Sequence, residues 1–460
     1  MGLTYDVAKF VVEKGFDDFS REDVHAAKAL ALDGIGSMIG GVTEPVARIA
    51  IDYGQDSGGT PECGIVGAKF KTSLTQAALL NGTSIHALEL EAIGLFTGSN
   101  PMTNIAVALS AAEKFNLPGK AVIEGIVIGL EVQTKLGMSG PGAWDRGFSS
   151  IPLYGTMGAT ATAGKLLNLS VEQMQHAFGI AIAQCSGQHR QQGSLTHLLE
   201  NGIACRNGVM ASMLAKRGMT SDPDLFEGPR GFYELFSSGG RGYDLANTVK
   251  SLGNPFCAAV GPYIKKYACC FYTHRAMDAL VQLKQEHGFC GDDVSRVQVE
   301  MPSFAADMLR FSDPKTGAET SFSVEHPLGA VLMDDVVEIP YIRPFRDSGA
   351  IDPKYVEGRK KIEVINRKDW SGGRSAPWST PVTVIMKSGK TYTKTVENDQ
   401  LKGSPSNPLT KGELVARHKV LIKDFLSEKQ ADRSVDLVYD LENLDSISEL
   451  MKLLTYGKSS

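Results

Sequence analysis

Residues 265–278 read KKYACCFYTHRAMD, and the chain changes character across them. Tyr267, Cys269, Cys270, Phe271 and Tyr272 form a short apolar, aromatic strand or turn. A helical pattern then opens at Thr273, a residue type suited to an N-cap, and continues through Ala276, Met277 and Leu280. His274 falls in the first turn of that helix, beside backbone N–H groups that have no partner within the helix. Their positive potential favours neutral imidazole, the form a general base needs near pH 7. The plain alternative is a structural histidine at a helix start.

Upstream of this stretch the pattern is helical. Val24, Ala27, Leu30, Ala31 and Ile35 recur at helical spacing, with Asp23 placed to cap their start. Gly34, Gly36, Gly40 and Gly41 follow no strand, so they signal close helix packing and not a nucleotide loop. Small-residue helices recur at residues 75–86, 104–114, 155–167 and 202–217, and residues 137–142 read as a glycine-rich loop. Downstream, residues 297–301 and 361–365 alternate like strands. Residues 382–386 and 391–396 flank Ser388-Gly389, a hairpin signal. Helices are also expected at 273–285 and 327–334. In the tail, Leu414, His418, Leu421, Ile422 and Phe425 share one helical face, where His418 reads as packing or surface. The expected fold is therefore mainly α. A large all-helical domain spans residues 1–262 and is completed by 403–460. A smaller α+β lid domain spans 263–402.

The 460 residues are 42% hydrophobic and 22% charged, with a net charge of −5, which fits a soluble globular protein of two or three domains. No basic run points to nucleic acid. The start, MGLTYDVAKF, carries no apolar signal core. The most apolar stretches, 29–42 and 121–132, are interrupted by Asp33, Glu124 and Glu131, which makes them buried helices and not membrane spans. Seven scattered cysteines with no CxxC, and no HExxH, indicate reduced thiols, a cytoplasmic protein and no dedicated metal site.

Five motifs then appear in a fixed order. They are Asn81-Gly82 with His86-Ala87-Leu88, GATATAGKLL at 158–167, LAKRG at 214–218 with Glu227-Gly228, the 265–278 stretch, and GSPSNPLT at 403–410. Together they resemble the MmgE/PrpD family over nearly the whole chain. The resemblance implies a helical domain, an α+β lid, a pocket between them, a homodimer, and no metal or organic cofactor. It also implies proton transfer to or from carbon beside a carboxylate or carbonyl, as in dehydratases, decarboxylases and epimerases.

The family's active-site positions are where this chain departs. The family's HALDFDDT reads HALELEAI here, so two acids persist as Glu89 and Glu91 while Ile93 replaces threonine. Family histidines fall on Asn100, Ser149 and Glu200. The family lysine falls on His197, a lid tyrosine falls on His326, and the histidine of the Thr-His motif is kept as His274. The resemblance makes His274 the first choice of general base, His197 its partner acid and His326 a group closing from the lid. Glu89 or Glu91 orients an imidazole or serves as base. His86, Ile93, Asn100, Ser149 and Glu200 are the expected substrate contacts. His189 and Arg190 are placed at the pocket mouth, and Arg206 fits a surface ion pair equally well. His25, His176 and His287 read as surface.

Positive charge falls and a carboxylate is gained across these positions, so a tricarboxylate would meet like charges. The expected substrate is a small carboxylate or carbonyl compound carrying fewer acids, and Ile93 with Leu95 and Phe96 fits a more apolar molecule. The leading reading is a lyase or isomerase. A biosynthetic cyclase on the same scaffold and a non-catalytic binding homologue are the alternatives. No GxSxG elbow supports a serine hydrolase.

Overall fold

A computed structural model describes residues 2–94, 98, 100–334, 350–370 and 379–458. Within it the chain packs as two units. One comprises residues 1–190, 198–263 and 410–460, and the other comprises 191–197 and 264–409. The fold is mainly α, with small sheets.

The first unit is built on long buried helices. The Gly119–Ser139 helix has Val122, Ile123, Ile126, Val127, Ile128, Leu130 and Val132 all without solvent exposure, so it is apolar around much of its circumference. It crosses the Ser150–Leu166 helix at glycines on both sides. A Cβ on Gly129 would lie 2.0 Å from Thr162 Oγ1, and one on Gly158 would lie 2.1 Å from Gln133 Oε1. Glu131 is tolerated in this apolar helix because its carboxylate accepts the Gly253 and Cys257 backbone N–H groups, both at 2.7 Å. Burial nonetheless pushes its pKa up. The Arg21–Gly41, Leu74–His86 and Met102–Lys114 helices complete this layer. Two short strand pairs pin the loops. In one of them Ile93–Gly94 runs antiparallel to Pro262–Tyr263, with Ile93 opposite Tyr263.

The second unit carries a four-stranded sheet in the order Ile362–Arg367, Val294–Pro302, Val382–Met386, Thr391–Lys394. The first pair is parallel and the others antiparallel. Val297, Val299 and Met301 are fully buried and alternate with more exposed polar residues, as a sheet with one covered face requires. The hairpin at Ser388-Gly389 closes with Gly389 at φ +85°. The helices His274–His287, Glu325–Met333 and Pro353–Lys360 belong to the same unit.

Several local expectations are corrected. Ser20, not Asp23, caps the first long helix. Its hydroxyl accepts the Asp23 N–H at 3.1 Å, and the Asp23 carboxylate accepts the Ser20 N–H in return. Residues 137–142 are mostly helical, because the long helix runs to Ser139 and the next begins at Gly142. Leu95 and Phe96 lie outside the described residues. Among the described residues, no helix is long and apolar enough to cross a membrane.

His418, on the Lys411–Ile422 helix, is a core residue. Its Nδ1 lies 3.1 Å from the Leu32 carbonyl and its Nε2 lies 3.0 Å from Ser434 Oγ. Burial lowers its pKa from 6.5 to about 4. Above pH 6.5 neither folded nor unfolded imidazole is charged, and the full stability is present. Between the two values only the unfolded chain takes up the proton, so stability falls as pH falls. The loss from this group reaches about 3 kcal/mol near pH 4. His418→Gln is expected to flatten that part of the stability–pH curve, as read by urea denaturation at a series of pH values.

Candidate active site

In the first unit the Leu74–His86 helix ends on His86, and the chain turns at once into the acidic segment 87–92. The turn forces Glu89 to φ +53°, a left-handed conformation that side-chain-bearing residues seldom adopt. It brings Glu89 Oε2 to 3.1 Å and Glu91 Oε1 to 3.8 Å from His86 Nε2. His86 is fully buried, and Glu89 and Glu91 are 5% and 3% exposed. The segment is held from outside by a buried ion pair. Arg417 Nε donates to Asp33 Oδ1 at 2.7 Å, and Arg417 Nη2 donates to the Leu90 carbonyl at 2.7 Å. The other Asp33 oxygen accepts the Ala92 N–H at 3.2 Å. Asp33 and Arg417 thus fix the backbone on either side of Glu91.

Two further candidates pair in this unit. Ser149 sits at the N-cap position of the Ser150–Leu166 helix, yet its hydroxyl does not cap it. It donates instead to Glu200 Oε2 at 3.2 Å, in buried surroundings. Asn100 is 2% exposed, and its Nδ2 has no hydrogen-bond partner among the described residues. Gln133 sets its place by donating Nε2 to the Gly98 and Asn100 carbonyls at 2.8 and 2.7 Å, while Gln133 Oε1 accepts from Asn104. A buried amide donor without a partner is costly unless a ligand supplies the acceptor.

In the second unit the 265–278 stretch folds around His274. Residues 271–273 form a 3-10 turn, and the helix begins at His274 itself. Thr273 holds the N-cap position, but its side chain makes no cap. Its hydroxyl donates to the Cys270 carbonyl at 2.8 Å. The Tyr267 hydroxyl donates to Asp278 Oδ1 at 2.5 Å, which holds the tyrosine ring edge-on to the imidazole at 5.2 Å. His274 Nε2 lies 3.3 Å from the Cys269 carbonyl. A carbonyl only accepts, so neutral His274 carries its proton on Nε2 and its lone pair on Nδ1. His197 packs edge-on against Phe322 at 5.1 Å. His326 packs against Tyr355, and Arg359 donates to its Nδ1.

The remaining histidines and Arg206 are placed individually. His189 stands edge-on to Trp144 at 3.8 Å. Arg206 bonds to Asn207 Oδ1 at 3.0 Å. His25 and His287 are exposed, the latter stacked on Tyr392 at 3.8 Å. His176 is half-buried and accepts the Ser221 N–H, a correction to its reading as plain surface.

The N-terminal domain of the MmgE/PrpD family matches residues 5–243, and its C-terminal domain matches residues 267–443. The chain belongs to the MmgE/PrpD family. Among its curated relatives is a cis-aconitate decarboxylase of Aspergillus terreus, 23% identical over 98% of this chain and 96% of the relative. A cis-aconitate decarboxylase-like protein, oryM, of Aspergillus oryzae is 28% identical over 98% and 97%. The human cis-aconitate decarboxylase is 23% identical over 94% and 90%.

The motifs that carry the family likeness have physical work in this chain. The Asn81 side chain accepts the Val66 N–H and donates to the Gly64 carbonyl and Ser110 Oγ, tying a strand pair to two helices. Gly82 admits the Leu195–Lys216 helix, since a Cβ there would lie 3.0 Å from Gly202 Cα. Gln133, Asp33 with Arg417, and Arg359 were not legible as site residues. A charged residue inside an otherwise apolar helix, as Asp33 is, was the available signal for a buried partner.

Proposed function

We propose that this chain is a lyase that moves a proton at carbon beside a carboxylate or carbonyl, with His274 Nδ1 as the base. The observation that carries this reading is the placement of His274, which opens its helix with Nε2 3.3 Å from the Cys269 carbonyl and, when neutral, carries its proton there. Decarboxylase names among relatives that match 94–98% of this chain support the reaction class. In the forward direction Nδ1 takes the proton from carbon as the electron pair moves onto the adjoining carbonyl oxygen. The resulting enolate then expels a leaving group or is reprotonated. In decarboxylation the C–C bond breaks, CO2 departs, and the carbanion takes a proton from solvent through His274.

The substrate proposed is less charged than a tricarboxylate. Glu89, Glu91 and Glu200 are all buried, and a third substrate carboxylate among them would be repelled. Asn100 Nδ2 is assigned to a substrate oxygen. Asn100→Ala is expected to lower kcat/KM by about 10–100-fold, the weight of one hydrogen bond to a charged group. Steady-state kinetics on the responding substrate checks this.

The test is proton NMR in D2O with cis-aconitate, 2-methylcitrate and simpler mono- and dicarboxylates, each with a His274 variant as control. Exchange or turnover that depends on His274 supports the reading. Micromolar binding of a tricarboxylate would overturn the charge argument, and silence on every compound in the panel would count against the lyase.

A further inference from the structure

We propose that the first turn of the Met102–Lys114 helix and the Asn100 side chain form a seat for one carboxylate of the substrate. Pro101 holds the N-cap position of this helix and makes no side-chain cap. The first turn of a helix leaves its backbone N–H groups without partners inside the helix, and a cap, water or a ligand has to supply them. Proline has no N–H, so the groups that remain are those of Met102, Thr103 and Asn104. None of them has an acceptor among the described residues, and all three residues are buried.

The side chains of this turn are engaged elsewhere. Thr103 Oγ1 donates to Asn201 Oδ1 at 2.6 Å. Asn104 Nδ2 donates to Gln133 Oε1 at 3.1 Å, and Asn104 Oδ1 accepts from Thr162 Oγ1 at 3.1 Å. Both side chains bond to neighbouring helices, and neither closes the helix end. Asn100 is an independent observation. It stands one residue before the N-cap and is 2% exposed, and its Nδ2 has no hydrogen-bond partner among the described residues. An asparagine side chain is too short to leave this end of the helix, so its amide adds a buried donor to those of the backbone. Gln133 fixes both parts of the seat, because its Nε2 donates to the Gly98 and Asn100 carbonyls while its Oε1 takes Asn104.

Buried N–H groups that find no acceptor cost free energy, and a helix N-terminus carries a positive partial charge. An anion answers both conditions. The donors here are neutral amides, so the seat suits a singly charged group with two acceptor oxygens, which describes a carboxylate. A second anionic group is disfavoured. The bond from Thr103 to Asn201 sets this helix start against the helix that carries Glu200, whose buried carboxylate takes the Ser149 hydroxyl at 3.2 Å. The substrate class is therefore a compound that presents one carboxylate to this unit. Assigning the bound group to the substrate rests on the proton-transfer reading above, whereas the seat itself does not.

Titration of deuterated, 15N-labelled protein with sodium acetate tests the seat without turnover, with inorganic phosphate as the second probe. Acetate is expected to shift the backbone amides of Met102, Thr103 and Asn104 and the Asn100 side-chain amide together and saturably, in about the millimolar range for so small a ligand. Asn100→Ala keeps the backbone donors and is expected to weaken acetate about 10–100-fold. Asn100→Asp puts a carboxylate at the helix start. It is expected to abolish the acetate response and to raise the melting temperature, as an acid at a helix N-terminus does. Unmoved amides under acetate, a response to phosphate alone, or acetate binding undiminished in both variants would each overturn the proposal. Acetate held at these amides by a protein inert toward every compound in the panel would sink the lyase reading and leave the seat standing. His274-dependent exchange in a protein whose amides ignore acetate would do the reverse.

Discussion

His274→Gln is expected to lower proton exchange by about 10²–10⁴-fold, the contribution of a positioned general base. Glutamine is the informative replacement because its amide can keep the donation to the Cys269 carbonyl now made by Nε2, while offering no basic nitrogen where Nδ1 stands. The surrounding clamp should survive, since Tyr267 is held by Asp278 and Thr273 by the Cys270 carbonyl, independently of the imidazole. The measurement is deuterium incorporation by NMR, paired with a urea melt. Undiminished exchange in a folded variant would remove His274 from the mechanism. A collapse of stability alongside the rate would return it to a structural role.

The second large effect is expected at the Asp33–Arg417 pair. Both side chains are nearly inaccessible, 1% and 3% exposed. Removing one partner leaves the other charge buried without its counterion, and Arg417→Met is expected to cost about 3–5 kcal/mol by urea denaturation. The double variant Asp33→Asn with Arg417→Met should recover much of that, because the uncompensated charge is gone. Recovery of activity should be poorer than recovery of stability. Arg417 holds the Leu90 carbonyl and Asp33 holds the Ala92 N–H, so the pair also sets the backbone that aims Glu89 and Glu91. A double variant costing the sum of the two single variants would show that no interaction links the two residues.

The helices were legible because their apolar residues recur at the helical period over long stretches, and the sheet because Val297, Val299 and Met301 alternate. The helix that begins at His274 was legible through the abrupt change of texture around it. The supporting groups were not. Gln133, Arg417 and Arg359 act through side chains that reach residues 33, 384 and 33 positions away in sequence, as in the bonds to Asn100, Asp33 and His326. No local pattern encodes such a pairing. Cap assignment failed for a related reason. Asp23 and Ser20 both suit the helix start, and only the reciprocal bonds between them decide which is the cap.

Glu89 sits where the backbone would prefer glycine or asparagine. A library selected only for resistance to heat should therefore drift toward those residues at position 89, relieving roughly 1 kcal/mol of conformational strain while discarding a carboxylate beside His86. With Glu89 in the role that the family resemblance implies, thermostability and turnover would be traded against each other at a single codon, and campaigns to harden this protein would do well to hold that codon fixed.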